Sequence, residues 1–144
     1  MPKHELLDPD FESRVRTSFD RQGAIISLGA RLIDLIPGEA RIEMPFNPSF
    51  TQQDGFLHAG IVTTIVDSAC GYAAYTLMPD GSRVLTVEYK VNFLSPAKGE
   101  KFIAIGKVVK SGRKLTVCSG EVFAYENGEE MQVALMQATM IMVK

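Results

Sequence analysis

The sequence has few of the residues that build disulfide frameworks and metal centres, with two cysteines and two histidines among 144 residues. Cys70 falls in a predicted helix and Cys118 in a predicted strand, and such a pair does not make a disulfide framework. No group of histidine, cysteine and carboxylate residues has metal-ligand spacing, so no metal is predicted. Cys70 could act as a nucleophile, but a buried, inert thiol is the commoner role of such a cysteine.

Long apolar segments are also absent. No run of about 18 or more apolar residues is free of Asp, Lys and Arg, which argues against a membrane-spanning helix. The amino-terminal residues MPKHELLDPDFE lack the apolar core of a signal peptide. We therefore expect a cytoplasmic protein without membrane association. The length predicts a single domain with a sizeable core, and no internal repeat interrupts it.

The charges are unevenly distributed along the chain. Residues 83–114 carry a net charge of +6, whereas residues 1–82 carry −5 and residues 115–144 carry −3. Solvated strand faces are the usual explanation of such a basic segment, but local positive charge also suits a polyphosphorylated small molecule. Nucleic acid is not expected as a partner, because the chain is acidic overall and has no basic-aromatic binding motif.

The segment from His58 to Met78 has the pattern of a buried helix. Apolar residues recur at helical spacing all round it, and Asp67 is its one formal charge. At about 1.5 Å per residue the segment would be roughly 30 Å long, about the width of a small domain. Its polar and small residues form one stripe: Thr64, Asp67, Ser68, Gly71 and Tyr75. The stripe is either a solvent face or, because it lacks Lys, Arg, Glu and Gln, the place where another backbone or a ligand approaches.

The amino-terminal part of the chain predicts one short helix. Residues 1–10 are expected to be frayed, and the helix should then run to about residue 22 and end at Gly23. Its apolar face would consist of Phe11, Val15 and Phe19.

Alternating polar and apolar residues predict about six strands after this helix. We place them at residues 24–36, 39–46, 85–93, 101–109, 115–125 and 131–143. Pro37-Gly38 fits a type II turn, and Asn127-Gly128 is a strong hairpin signal. The strand at 85–93 is expected to be half-buried through one face: Leu85, Val87, Tyr89, Val91 and Phe93. An antiparallel sheet curled around one long helix satisfies both patterns and predicts an α+β fold.

Four separated motifs resemble one known family. A polar loop leads into LHAG at the start of the helix, an Asp follows nine residues after the His, and SPA and KSGRK come later. This order resembles the hotdog-fold acyl-CoA thioesterases of the phenylacetate-pathway (PaaI-like) type, over roughly residues 24–143. The resemblance implies an amino-terminal extension at residues 1–23, which contains the short helix, followed by a single hotdog domain at residues 24–144. It further implies dimers that pair into tetramers, and acyl-CoA as the substrate, with no separate cofactor.

The resemblance also implies roles for individual residues. The backbone N–H of Ala59 would polarise the thioester carbonyl, although the family has Gly at this position. Asp67 would act as general base or nucleophile, and Gln52 and Thr86 would hydrogen-bond water or substrate. The remaining substrate contacts are expected from His58, Gly60, Thr64 and Ser68, and the phosphates of coenzyme A would be bound by Lys110, Arg113 and Lys114.

The spacing of Ala59 and Asp67 bears on the oligomeric state. Eight residues on one helix separate them by roughly 12 Å, which exceeds the roughly 3 Å of a catalytic contact. If both act on one thioester, they must come from different chains, and two antiparallel helices about a two-fold axis would satisfy this twice. The hypothesis therefore requires a homodimer.

Three other functions fit the same motifs. A noncatalytic acyl-CoA binding or sensing module would keep the helix start and the basic segment without needing Asp67. A hotdog-type hydratase or dehydratase would act on an acyl thioester, but such enzymes set an Asp and a His together on the helix. A purely structural protein is the last alternative, and the fold alone does not separate these functions.

Overall fold

The computed structural model describes residues 4–144, so the expected fraying of the first ten residues falls partly outside the described residues. It contains three α-helices, α1 (Phe11–Phe19), α2 (Gly23–Leu28) and α3 (Ala59–Tyr75), and a single 3-10 turn at Pro48–Phe50. The six strands are β1 (Arg31–Ile36), β2 (Glu39–Pro45), β3 (Arg83–Phe93), β4 (Lys101–Ser111), β5 (Leu115–Glu126) and β6 (Glu129–Val143).

The strands form one antiparallel sheet in the order β1-β2-β4-β5-β6-β3. Helix α3 packs on one face of this sheet, and its apolar residues face the inward side chains of the central strands, as Ile65, Ala104 and Met136 illustrate. The predicted α+β fold, with about six strands around one long helix, is confirmed. Because β3 follows α3 and returns to the outer edge beside β6, the end of the helix and the edge strand lie close together.

Two glycines allow α3 to lie close to the sheet. A Cβ atom at Gly106 would overlap the main chain of Ala69 in α3, and one at Gly120 would meet the side chains of Val66 and Cys70. Neither glycine has a positive φ. The space available to a side chain, and not the backbone conformation, therefore explains glycine at both positions.

Replacing Gly106 with Ala is expected to lower the free energy of unfolding by about 3 kcal/mol, because the helix backbone would have to move away from the sheet. Chemical denaturation measures the change. Gly23→Ala is the matched control, since a Cβ there meets nothing within 4 Å, and it should leave stability unchanged or slightly higher. Equal stability of the two variants would contradict the close helix-sheet packing.

Both predicted turns are confirmed. Gly38 has φ of +81°, as the third position of a type II turn requires. Asn127 and Gly128 have φ of 52° and 78° between β5 and β6, the left-handed pair of a type I′ hairpin. These turns fix the register of the strands that they join, since residues such as Ile36 and Glu39 pair directly.

The prediction for residues 23–28 was wrong. Gly23 does not end the first helix region but begins α2, and the β-branched residues that suggested a strand lie in this helix. Ile25 and Leu28 are three residues apart and both buried, and Gly29 ends the helix with φ of +66°. The predicted face of α1 is confirmed, with Val15 and Phe19 buried. The division of the chain between residues 23 and 24 stays a prediction.

Strand β3 is the other departure from the prediction, because it is not half-buried in the single chain. Leu85, Val87 and Tyr89 are 57%, 54% and 45% exposed, since β3 is one of the two edge strands of the sheet and has a neighbouring strand on one side only. A β-bulge between Thr86 and Glu88 also breaks the alternation. Leu85 pairs with Ile141 and Tyr89 with Ala138, which lie on opposite faces of β6, so the five apolar residues do not share one face.

Candidate functional site

Asp67 lies halfway along α3 and faces the start of the edge strand. The Thr86 hydroxyl donates a 2.8 Å hydrogen bond to Oδ1 of Asp67, and the same hydroxyl lies 3.4 Å from Sδ of Met140. Within residues 4–144, the second carboxylate oxygen has no hydrogen-bond donor and the group has no ion-pair partner. Burial raises the pKa of Asp67, and the Thr86 hydrogen bond partly offsets that rise. Asp67 is thus a desolvated carboxylate with one oxygen left to accept a proton.

Thr86→Val is expected to raise the pKa of Asp67 further, because the hydrogen bond that favours the ionised carboxylate is removed. The titration of the Asp67 carboxyl carbon by NMR measures the shift. Thr86→Ser keeps the hydroxyl and should keep the wild-type pKa. A pKa that stays constant or falls in the valine variant would mean that the Thr86 hydroxyl does not stabilise the charged form.

The amino terminus of α3 holds a free backbone donor. His58 caps the helix, and its Nδ1 accepts the N–H of Gly60 at 2.8 Å, while the N–H groups of Ile61 and Val62 bond to the His58 carbonyl. The N–H of Ala59 has no acceptor among the residues that the structure describes. Because the positive end of the helix dipole also lies here, this N–H can stabilise developing negative charge. His58 therefore shapes the helix start, and its predicted contact with substrate stays a prediction.

Gln52 lies beside this helix start. Gln52 and Ala59 line one apolar cavity of about 350 Å³, together with Phe56, Phe93 and Val133 among others. The side-chain oxygen of Gln52 accepts the N–H groups of Asp54 and Phe56 at 2.6 and 3.2 Å, so it holds the loop before α3. Its amide nitrogen has no such role in the loop. Gln52 thus holds the loop before α3 through its side-chain oxygen, and the residue also lines the cavity that contains Ala59.

A second cavity of about 450 Å³ opens at Asp67 and Thr86. It extends along α3 towards the end of the helix and is lined further by Ser68, Gly71, Tyr72 and Tyr75. The structure therefore brings Asp67 together with Thr86, and Ala59 together with Gln52, but it places the two pairs in different cavities of one chain. The predicted separation along the helix explains this, since Ala59 and Asp67 are roughly 12 Å apart by helical rise.

Thr64 and Ser68 are both hydrogen-bonded within the protein. The Thr64 hydroxyl donates to the Gly60 carbonyl at 2.8 Å, and the Ser68 hydroxyl donates to Oε1 of Gln22 at 3.0 Å. Both residues and Gly60 line a groove beside Asp67. Their roles in substrate binding stay predictions.

The basic residues Lys110, Arg113 and Lys114 are exposed at the β4–β5 hairpin. The Lys114 carbonyl accepts the N–H of Met142, which joins the hairpin to the end of β6. Thr116, just after the hairpin, pairs with Met140, and Met140 pairs with Thr86. Two strand spacings, roughly 10 Å, therefore separate the start of β5 from Thr86. The basic hairpin lies at the Asp67 end of the molecule and not at the Ala59 end.

Sequence reasoning missed Gln22, which lies in the turn between α1 and α2. Its amide contacts Ser68 and the Tyr72 hydroxyl on α3, and both contacts exist because the amino-terminal helices fold across α3. Gln22 lies between two helices of ordinary composition, so no local motif could have identified it.

Neither cysteine has the surroundings of a nucleophile. Cys70 and Cys118 are free and buried. Burial raises the pKa of Cys70, and burial raises the pKa of Cys118 to about 12. Across the described part of the chain, no three histidine, cysteine or carboxylate residues are grouped so as to hold a metal ion.

None of the helices in residues 4–144 is long and apolar enough to cross a membrane.

Comparison with known proteins gives matches to thioesterases. A family model described as the thioesterase superfamily matches residues 54–131, more than half of the chain. Acyl-coenzyme A thioesterase 13 of Homo sapiens is 30% identical over 89 residues, which cover 61% of this chain and 63% of that protein. The chain thus spans less than two thirds of that relative.

Two solved structures are similar to the whole fold. A thioesterase family protein from Silicibacter pomeroyi has a TM-score of 0.91 and 51% sequence identity, and the match covers 92% of this chain and 98% of that one. The PaaI protein from the phenylacetic acid degradation operon of E. coli has a TM-score of 0.85, with 96% of each chain covered. At 19% identity, the second match is a likeness of fold.

Proposed function

The chain belongs to the thioesterase superfamily, and we propose that it hydrolyses acyl-CoA thioesters at an active site that two copies of the chain form together. The family and the hotdog fold expected from the sequence motifs are confirmed by the family model and the solved structures. The observation that carries the proposal is the position of two groups of residues, Asp67 with Thr86 and Ala59 with Gln52, which lie in different cavities of one chain. A desolvated carboxylate with a hydroxyl donor lies at one end of β3, and a free helix-terminal N–H lies at the other.

The chemistry follows from these groups. The N–H of Ala59 donates to the thioester carbonyl oxygen, and the helix dipole stabilises the oxyanion that develops there. Asp67 either accepts a proton from a water that attacks the carbonyl carbon, or attacks that carbon itself to form a mixed anhydride, which water then hydrolyses to release the acid and regenerate the carboxylate. The carbon–sulfur bond breaks, the thiolate of coenzyme A leaves and takes up a proton, and water supplies the oxygen of the free acid. Thr86 orients the carboxylate through its 2.8 Å hydrogen bond.

The free edge strand supports a dimer. An exposed edge with apolar side chains such as Leu85, Val87 and Tyr89 is normally covered by another strand. Thr86 and Phe93 lie seven residues apart on β3, roughly 23 Å in a strand. A two-fold axis midway between them would pair β3 with its copy and place the Thr86 end of one chain beside the Phe93 end of the other.

This pairing would complete the active site. Thr86 contacts Asp67, whereas Phe93 lines the cavity that contains Ala59. One strand pairing thus covers the exposed edge and brings Asp67 of each chain to Ala59 of the other, twice in the dimer. Pairing of two such dimers into a tetramer is a further part of the proposal, implied by the family resemblance.

Coenzyme A as the leaving group is supported by charge and by a relative. Lys110, Arg113 and Lys114 are exposed and make no ion pair within residues 4–144, so they are available to phosphates. They lie at the same end of the sheet as Asp67. The human relative carries the name acyl-coenzyme A thioesterase 13. A cytoplasmic location would suit an acyl-CoA substrate, and this location stays part of the proposal.

Thiol release from a panel of short, medium, long and aromatic acyl-CoAs tests the proposal, with light scattering at the assay concentration. We expect turnover of at least one substrate by a dimer or tetramer. Binding without turnover would identify a noncatalytic acyl-CoA binding module, and hydration of an enoyl-CoA would identify a hydratase. Turnover by a monomer would contradict the shared active site.

A further inference from the structure

The cavity at Asp67 has an unusual polar wall. The cavity has a volume of about 450 Å³, and its residues on one side come from the amino-terminal segment and α3. Five of the residues there carry hydroxyl or amide groups: Ser18, Gln22, Ser68, Tyr72 and Tyr75. Ser68 and Tyr72 are 9% and 5% exposed, whereas Ser18 and Gln22 are half-buried, so this wall has a buried part on α3 and a more open part on the amino-terminal segment. An acyl chain of carbon and hydrogen alone would place apolar surface against these groups.

Gln22 connects the polar groups of this wall. Its Oε1 accepts the Ser68 hydroxyl at 3.0 Å, and its Nε2 donates to the Tyr72 hydroxyl oxygen at 3.0 Å. The Ser18 and Tyr72 hydroxyls lie 3.4 Å apart, and either can be the donor. The amide nitrogen of Gln22 has a second N–H, which no hydrogen bond within residues 4–144 uses. Gln22 is half-buried and lines the cavity, so this N–H is available to an acceptor on a bound ligand.

We propose that this cavity binds the acyl group and that Gln22 and Tyr72 select acyl groups with an oxygen acceptor beyond the thioester carbonyl. The inference rests on the proposed thioesterase function. Tyr72 follows Asp67 by five residues, roughly 7.5 Å along the helix axis, so the selected oxygen lies several bonds from the reacting carbon. Arg21 and Arg83 line the exposed rim, and their positive charge admits a carboxylate as well as a hydroxyl.

The walls of the cavity fit an acyl group and not the pantetheine arm. Pantetheine carries a nucleotide that must reach solvent, whereas this cavity runs inward along α3 to Tyr75. The Tyr75 hydroxyl donates to the Ser82 carbonyl at 2.8 Å. The Arg14 guanidinium stacks on the Tyr75 ring at 4.4 Å and donates to the carbonyls of Tyr75 and Met78. The inner end of the cavity is therefore fixed by contacts within one chain.

Three CoA thioesters that differ only at the distal carbon test the inference: hexanoyl-CoA, 6-hydroxyhexanoyl-CoA and adipyl-CoA. For the wild type, kcat/KM for at least one oxygenated substrate should exceed that for hexanoyl-CoA by about 10-fold or more. Gln22→Leu and, as a second variant with a smaller change in shape, Tyr72→Phe should lower this ratio of kcat/KM values towards one. If the wild type prefers only adipyl-CoA, and the Arg21→Gln variant no longer has this preference, the selected group is a carboxylate.

Gln53→Leu is the matched control, because Gln53 is an exposed glutamine outside the cavity, and it should keep the wild-type preference. Two outcomes overturn the inference and leave the thioesterase intact: turnover without preference in the wild type, or an equal rise in KM for all three substrates in Gln22→Leu. The second would place pantetheine in the cavity. Absence of turnover with every acyl-CoA would overturn the proposed function itself, and the inference with it.

Discussion

Replacing Asp67 with Asn is expected to reduce kcat by at least about 100-fold, with KM for acyl-CoA little changed. The amide has nearly the same shape, but it neither accepts a proton from water nor attacks a carbonyl carbon. Thiol release under saturating substrate measures the loss. Asp54→Asn is the matched control, since Asp54 lies exposed in the loop before α3, and it should keep the wild-type rate.

Loss of activity in Asp67→Asn would not come from unfolding. Burial raises the pKa of Asp67 above its ordinary value, so the folded state holds the proton at pH values where the unfolded chain has released it. Stability therefore falls as pH rises between these two pKa values, and Asn removes that loss. The variant should be at least as stable as the wild type at pH 7. A folded variant that keeps more than about a tenth of the rate would contradict the catalytic role.

Ala59→Pro is expected to reduce kcat by about 10² to 10³, because it removes the N–H that stabilises the oxyanion. Ala59 is the first residue of α3, a position where proline is favoured and no helical hydrogen bond is lost. His58 has φ of −60° and ψ of 138°, which suits a residue before proline. The fold should therefore persist, and thermal unfolding checks this.

Ala59→Gly is the control for this variant, since it keeps the backbone N–H. Its kcat should stay near the wild-type value. A proline variant as active as the glycine variant would mean that the backbone donor at the helix start takes no part in the reaction.

The central elements could be predicted from sequence because local pattern and burial agree there. Helix α3 is apolar nearly all round, so its burial under a sheet followed from composition, and the Asn127-Gly128 turn follows from backbone preference alone. Helix α2 could not be recognised, because its Ile25-Ile26 pair favours a strand locally and only packing makes it helical. The β3 bulge likewise depends on pairing with β6 and has no sequence signature.

The candidate site likewise has features that the sequence predicted and features that only the folded structure shows. The motif around LHAG placed His58 and Ala59 at a helix start, and the structure confirms this. The resemblance predicted that Thr86 would hydrogen-bond water or substrate, and its contact with the Asp67 carboxylate came from the structure alone. The hydrogen bonds of Gln52 and Gln22 could not be predicted, because both depend on how the chain folds back on itself. The contacts of Lys110, Arg113 and Lys114 with phosphate stay a prediction.

Complementation between two inactive variants tests the shared active site most directly. Asp67→Asn and Ala59→Pro are mixed in equal amounts, unfolded and refolded together, and assayed for thiol release. In a mixed dimer one site combines an intact Asp67 from one chain with an intact Ala59 from the other, while the second site has neither. Random pairing makes half the dimers mixed, so activity should return to about one quarter of the wild-type value. Refolded mixed dimers that stay as inactive as the separate variants would contradict a site built from two chains.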